Sequence, residues 1–187
     1  VIKSKKLYAA KEAAMPVSLR PDWVFDDYGA VTPAFLQRLG VRLLLCDLDY
    51  TLAPKRQGEP DAALRAWIDG LRAAGVTPVI LSNNRSSKRV ERFCASLGIR
   101  FVGHAGKPAR RGYLRALAEA EETAAHAAML GDKLLTDVLG AKRAGLTALM
   151  VEPKGGPVGA WNRVLHALQE PFKRACARDE RSGRTKK

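Results

Sequence analysis

The chain has 187 residues, 47% hydrophobic and 27% charged, which suits one soluble globular domain with a core of its own and excludes a disordered or fibrous chain. No apolar run approaches the ~18 residues of a membrane span, and the basic start lacks the apolar centre of a signal peptide. The net charge of +13 gathers at the ends: residues 1–20 and 171–187 together hold +9, leaving +4 for the 150 residues between them. Basic ends on a nearly balanced centre point to a polyanion met from outside, an anionic membrane or a nucleic acid, with solvated tails as the plain alternative. Three widely spaced cysteines, Cys46, Cys94 and Cys176, make neither a disulfide framework nor a zinc pattern. Core thiols at Cys46 and Cys94 suit a reducing, cytoplasmic compartment.

In chain order, residues 1–15 are Lys- and Ala-rich, helical or without fixed structure. Trp23, Val24 and Phe25, bracketed by prolines and acids, either cover a sheet edge or project as an apolar foot, and packing is the expected role. Thr32-Pro33 opens a short helix that ends at Gly40. Val41 to Cys46 is an apolar run of strand length which, apart from Arg42, reads as buried on both faces. After a turn-rich loop, Asp61 caps a helix whose Leu64, Trp67, Ile68 and Leu71 share one face, closed by Gly75. Val76 to Leu81 is a second strand. Ser86 begins a helix with Val90, Phe93, Cys94 and Leu97 on its buried side. Ile99 to Val102 is a third strand, followed by a helix from about Ala109 to Glu122. Ala127 to Leu130 is a fourth strand, Leu134 to Ala144 a helix, Thr147 to Val151 a fifth strand. Trp161, Val164, Leu165 and Leu168 mark the last helix. This alternation predicts an α/β, Rossmann-like fold: a five-stranded parallel sheet with helices on both faces. The expected organisation is a basic N-terminal extension over 1–30, the α/β domain over 31–170, and a basic C-terminal tail over 171–187.

The chemistry stands at the strand ends. The first strand stops at Asp47 and Asp49, with Thr51 two residues on. The second ends in Ser82-Asn83-Asn84. Lys107-Pro108 follows the third, and the fourth ends in Gly131-Asp132, with Asp137 five residues later. Alone, Asp47 is as readily a helix cap, Ser82 an N-cap, and Lys107 a solvated cation. Their joint placement at the carboxyl ends of successive parallel strands, where open sheets of this kind bind ligands, argues for one crevice. Four carboxylates brought together repel one another, so a cation is required, and all-oxygen ligands favour Mg²⁺. His104, His126 and His166 have no metal spacing. Gly155-Gly156 is a loop rather than a nucleotide fingerprint.

Taken in order, Asp47-Leu48-Asp49-Tyr50-Thr51, Ser82, Lys107 and Gly131-Asp132-Lys133-Leu134-Leu135-Thr136-Asp137 resemble the four motifs of the haloacid dehalogenase (HAD) superfamily of aspartate-nucleophile phosphatases. The likeness extends to the YqeG-type branch of subfamily IIIA, through Thr32-Pro33, Ile80 to Asn84, Lys107-Pro108, Gly131 to Val138 and Asn162-Arg163. Only the basic ends fall outside it. That branch usually carries Asn where this chain has Tyr50. The resemblance implies Asp47 as nucleophile and Asp49 as general acid and base. It implies Mg²⁺ held by Asp47, the backbone carbonyl of Asp49 and Asp132, with Asp137 orienting them. Ser82 and Lys107 would bind the phosphoryl oxygens, with Asn83 and Thr51 beside the substrate. Thr51 is expected to fix its loop by a hydrogen bond to backbone.

Related members of the branch dephosphorylate phosphatidylglycerophosphate, so a lipid substrate and a peripheral place on the inner membrane face are implied. Between Asp49 and Ser82, and again between Ser82 and Lys107, there is room for one helix and one strand but not for a cap domain. An open site suits a substrate presented by a surface. The competing readings are a soluble sugar- or nucleic-acid-phosphate phosphatase, and an RNA- or ribosome-associated module with a vestigial site. The complete motif set argues against the last.

Overall fold

The computed structural model describes residues 18–83, 87–155, 160–174 and 176. The expectations for residues 1–15, for Asn84, for the helix start at Ser86 and for most of the C-terminal tail lie outside them. So do the side chains of Trp161, Asn162, Arg163, Leu165 and His166.

The centre is the strand foreseen at the first aspartates. Leu43–Cys46 (β2) is buried at every residue. It lies between Thr77–Leu81 (β3) and Ala127–Gly131 (β5), with Leu43 opposite Thr77 on one side and Ala127 on the other. Arg100–Val102 (β4) continues the sheet beyond β3, and Thr147–Val151 (β6) beyond β5. All pairs are parallel, so every carboxyl end reaches the same edge of the sheet. Arg42, the odd residue of the apolar run, precedes the strand and turns outward to Glu122 at 2.8 Å.

Alternation along the strands makes two cores. Leu44 and Cys46 face one side, with the helices Pro33–Arg38 (α1), Ala62–Ala73 (α2) and Ser87–Leu97 (α3). Leu43 and Leu45 face the other, with Arg110–Glu119 (α4) and Leu139–Ala144 (α5). The foreseen caps form: the Thr32 hydroxyl accepts from Phe35 N at 3.2 Å, and Asp61 accepts from Leu64 N at 2.8 Å. All three cysteines are buried, and burial pushes the Cys94 thiol up to about 12. Among the described residues no helix is long and apolar enough to cross a membrane, and no domain is inserted around β3.

Three features correct or refine the expectation. The sheet has six strands, in the order β1-β6-β5-β2-β3-β4, rather than five. The extra one, Trp23–Phe25 (β1), pairs in parallel with β6, within residues assigned on sequence to the N-terminal extension. Phe25 is buried and Trp23 half-buried, both edge-on to Phe35 with ring centroids 5.1 and 5.4 Å away. The apolar foot is therefore a packed sheet edge. Second, the helix expected from Leu134 begins as a π turn, Leu134–Val138, before α5. Third, Lys173, counted with the tail cations, ends the helix Ala160–Arg174 (α6) only 1% exposed, paired with Glu152 at 2.7 Å and Glu170 at 2.5 Å.

Candidate active site

Strand β2 delivers its last amide into the sheet, Asp47 N donating to Leu130 O at 2.9 Å, and the chain then turns tightly. Leu48, Leu52 and Ala53 are buried under the turn, and Tyr50 N donates to Ala53 O at 2.8 Å. Tyr50 takes a left-handed φ of 69°, in the region Asn tolerates better than an aromatic residue. The turn sends Asp47 inward and Asp49 to the mouth.

Lys107 reaches the inner group from the turn after β4. Its ammonium donates to Asp47 Oδ1 at 2.6 Å and to Asp137 Oδ1 at 2.7 Å. Burial opposes its charge, but the flanking carboxylates of Asp137 and Asp47 outweigh that and raise its pKa. Asn83 holds it in place: its side chain accepts from Lys107 N at 2.7 Å and donates to Lys107 O at 2.9 Å. Ser82, at the end of β3, is buried in the wall of the same cleft.

Asp132 follows β5, and the π turn folds Asp137 back beside it. That approach requires Gly131, because a Cβ there would meet the Asp137 side chain at 2.4 Å. Lys133 N donates to Asp137 Oδ2 at 3.2 Å, and the Tyr113 hydroxyl donates to Thr136 O at 3.0 Å, bracing the turn from α4. Thr51 differs from expectation. It is buried and donates to Asp132 Oδ1 at 3.3 Å, orienting a carboxylate rather than bonding to backbone or lining the cleft.

Asp47, Asp132 and Asp137 each bring a carboxylate oxygen within 4.8 Å of the others. Three carboxylates face two ammonium groups, since Lys133 Nζ donates to Asp132 at 3.1 Å. The excess negative charge adds to burial in the protonation balance. Burial, with Asp137 and Asp47 adding to it against Lys133, pushes the Asp132 carboxyl up to about 7. Burial also raises Asp137 despite Lys107. An all-oxygen donor set that is short of positive charge fits a hard divalent cation. Asp49's carboxylate is outside this cluster and pairs with Arg89 Nη1 at 2.6 Å.

Arg89 is the residue that sequence reasoning missed. It comes from the first turn of α3, and its Nε also donates to Gln57 O at 3.2 Å, tying the loop after β2 to the helix after β3. It stands beside other cations, Lys88 and Arg92, and no spacing singles it out. The available signal was its position in the first helical turn after Ser82, the end nearest the site. The cleft bounded by Asp47, Asp49, Ser82, Lys107, Asp137 and Lys55 measures about 560 Å³. His104 and His126 stand away from it, His126 beside Arg42 at 2.8 Å.

An aspartate-headed, carboxylate-rich cleft with a buried lysine, at the carboxyl edge of a parallel sheet, defines the class: a HAD-type phosphatase fold. Known proteins agree. The family described as "HAD-hyrolase-like" matches residues 104–154. "Probable phosphatase YqeG" of Bacillus subtilis (strain 168) is 33% identical over 158 residues, 84% of this chain and 91% of that protein. An uncharacterized protein from Listeria monocytogenes serotype 4b shares the fold, with a TM-score of 0.50 at 16% identity over 72% of this chain and 99% of that one. The cobalt-bound deoxy-D-mannose-octulosonate 8-phosphate phosphatase of Haemophilus influenzae superposes with a TM-score of 0.49 at 20% identity, over 72% of this chain and 90% of its own. The chain belongs to the YqeG-type phosphatases of the HAD superfamily.

Proposed function

We propose that this phosphatase hydrolyses the phosphomonoester of a membrane lipid, with phosphatidylglycerophosphate as the substrate that fits best, and that it uses Mg²⁺. The observation that carries the chemistry is the Asp47 carboxylate in the cleft wall at the end of β2, held at 2.6 Å by the Lys107 ammonium. An Asp47 oxygen attacks phosphorus, forming an aspartyl phosphate while the P–O bond to the alcohol breaks and Asp49 gives that oxygen its proton. Asp49 then takes a proton from the water that attacks the aspartyl phosphate, releasing inorganic phosphate and restoring both carboxyl groups. Lys107 and Ser82 hold the phosphoryl oxygens, and Asn83 fixes Lys107 from behind. Asp47, Asp132 and the backbone carbonyl of Asp49 would hold Mg²⁺, with Asp137 orienting the set. The cation would supply charge neutralisation at the phosphoryl group.

The lipid assignment rests on the branch resemblance, on a cleft with no domain inserted beside it among the described residues, and on the +8 that residues 1–20 and 171–187 keep once the buried, paired Lys173 is set aside. Each Lys or Arg near an anionic membrane contributes about 1 kcal/mol, within a Debye length and weakened by salt. A peripheral position on the cytoplasmic face follows. The deciding experiment compares phosphate release from phosphatidylglycerophosphate, sugar phosphates and 3′-phosphorylated RNA, with Mg²⁺ and with chelator. It is joined to co-sedimentation with anionic vesicles, using duplex RNA as competitor. Preference for the lipid, lost in chelator, and vesicle binding lost without residues 1–15 and 177–187 support the reading. Tight RNA binding with no vesicle binding replaces the lipid by a nucleic acid.

A further inference from the structure

The polar cleft has an apolar neighbour. Leu134 and Leu135 of the π turn, Leu168 and Phe172 of α6, and Leu19 enclose a groove of about 380 Å³. Lys133 and Thr136 stand in the walls of both the groove and the cleft, so the two adjoin at those residues. The exposed apolar residues collect at this place. Leu135 is 55% exposed and Leu168 62%, and Val164, Leu168 and Phe172 recur every fourth residue along one stripe of α6. Of the large apolar side chains that stand exposed among the described residues, Leu114 alone lies apart. A patch of this kind beside a catalytic cleft marks a binding surface rather than ordinary surface scatter.

We infer that this groove holds an acyl chain of a phosphorylated lipid whose phosphate lies between Asp47 and Lys107. The inference rests on the phosphatase reading but not on which headgroup the lipid carries. Adjacency to the cleft selects the occupant. A substrate anchored at Asp47 and extending over Lys133 and Thr136 reaches the groove, whereas a protein seated there would crowd the mouth that the substrate must use. The chemistry is matched in sequence along the path: ammonium groups where the phosphate sits, Lys133 at the junction, and leucine and phenylalanine beyond it.

The test is a chain-length series: glycerol 3-phosphate and its 1-hexanoyl, 1-octanoyl and 1-decanoyl esters, each kept below its micelle concentration. In the full chain, kcat/KM is expected to rise about tenfold or more from glycerol 3-phosphate to the decanoyl ester, because each added methylene leaves water. In Leu168→Gln and Leu135→Gln, both at exposed positions that tolerate a polar side chain, the rise should flatten to within about twofold. Binding of the same series to the Asp47→Asn protein, measured by calorimetry, gives a readout that needs no turnover. Turnover of glycerol 3-phosphate with no dependence on chain length overturns the groove and leaves the phosphatase reading standing. Chain-dependent binding with no phosphate released from any ester does the reverse. A Leu168→Gln variant that dissociates a dimer while keeping the full chain-length rise overturns the inference in favour of a second copy of the chain.

Discussion

Asp47 and Asp49 are two residues apart on one loop, yet their surroundings have little in common. Asp47 lies inside, nearly buried, among Lys107, Asp132 and Asp137, where every partner is itself enclosed. Asp49 lies at the mouth against Arg89, with roughly a quarter of each side chain open to water. The tight turn between them, Leu48 tucked under and Tyr50 left-handed, separates the two environments. The difference matches two chemical duties. A nucleophile gains from a fixed line of attack set by buried groups, whereas a proton carrier must exchange with solvent between two half-reactions.

The largest effect should come from the inner carboxylate. Asp47→Asn is expected to remove measurable turnover of every phosphomonoester while the protein still unfolds cooperatively, because an amide cannot form the aspartyl phosphate. Near-normal activity in that variant would end the assignment of the inner position as nucleophile. Asp49→Asn should cost about 10²–10⁴-fold on a glycerol ester and far less on p-nitrophenyl phosphate, whose leaving group needs no proton. Equal losses on both esters would show that the outer carboxylate moves no proton.

Arg89 sharpens the contrast, since it is the outer group's only charged contact among the described residues that an ion pair records. As a positioning residue, Arg89→Met should lower kcat by about tenfold on the glycerol ester, with KM nearly unchanged and partial rescue by Arg89→Lys. Stability should change by less than about 1 kcal/mol, as for other part-exposed pairs. A rise in KM at constant kcat would instead make Arg89 a substrate contact.

The inner group also predicts a pH signature. With its carboxyl pushed up to about 7 from 3.8, Asp132 stays protonated in the metal-free folded protein where an unfolded aspartate has ionised. Its ionisation therefore costs stability, and that cost appears as pH rises through this window and is absent below it. A divalent cation competes with the proton for the same oxygens. Mg²⁺ should accordingly raise Tm by more at about pH 8 than at about pH 5.5. An equal shift at both, or none at either, would detach the cation from the carboxylate cluster.

Most of the inner site was legible because its residues stand directly at strand ends: Asp47, Ser82 and Asp132 each follow an apolar run, and Lys107 follows the third strand at a short remove. What escaped had no periodic signal. Three residues of β1 are too few to alternate visibly, and Arg89 shares the first turn of its helix with Lys88 and the next with Arg92. Lys173 reads as one more cation of a basic tail, and burial beneath Glu152 is a long-range fact. The sequence reads as ordinary helix through the π turn, because Leu134, Val138 and Ala141 keep helical spacing across it. The role expected of Thr51 shifted for a related reason: sequence places it near the substrate, but it is committed to Asp132. Asn83 does line the cleft, and its amide also holds Lys107.

The smallest effect concerns the turn that separates the two carboxylates. Tyr50 holds φ at 69°, where an L-residue with a bulky side chain is disfavoured by about 1–2 kcal/mol, and its branch usually places Asn there. Its ring also lies 5.7 Å from the Lys133 ammonium, a contact at the outer limit of cation–π range. A single substitution would mix the two contributions. Comparing Tyr50→Asn with Tyr50→Ala separates them, since both remove the ring and only asparagine tolerates the left-handed backbone well. By urea unfolding, the Asn variant should be the more stable by about 0.5–1 kcal/mol. If the Ala variant equals or exceeds it, backbone strain at Tyr50 does not shape the turn, and the separation of Asp47 from Asp49 must be held by the burial of Leu48 and Leu52 alone.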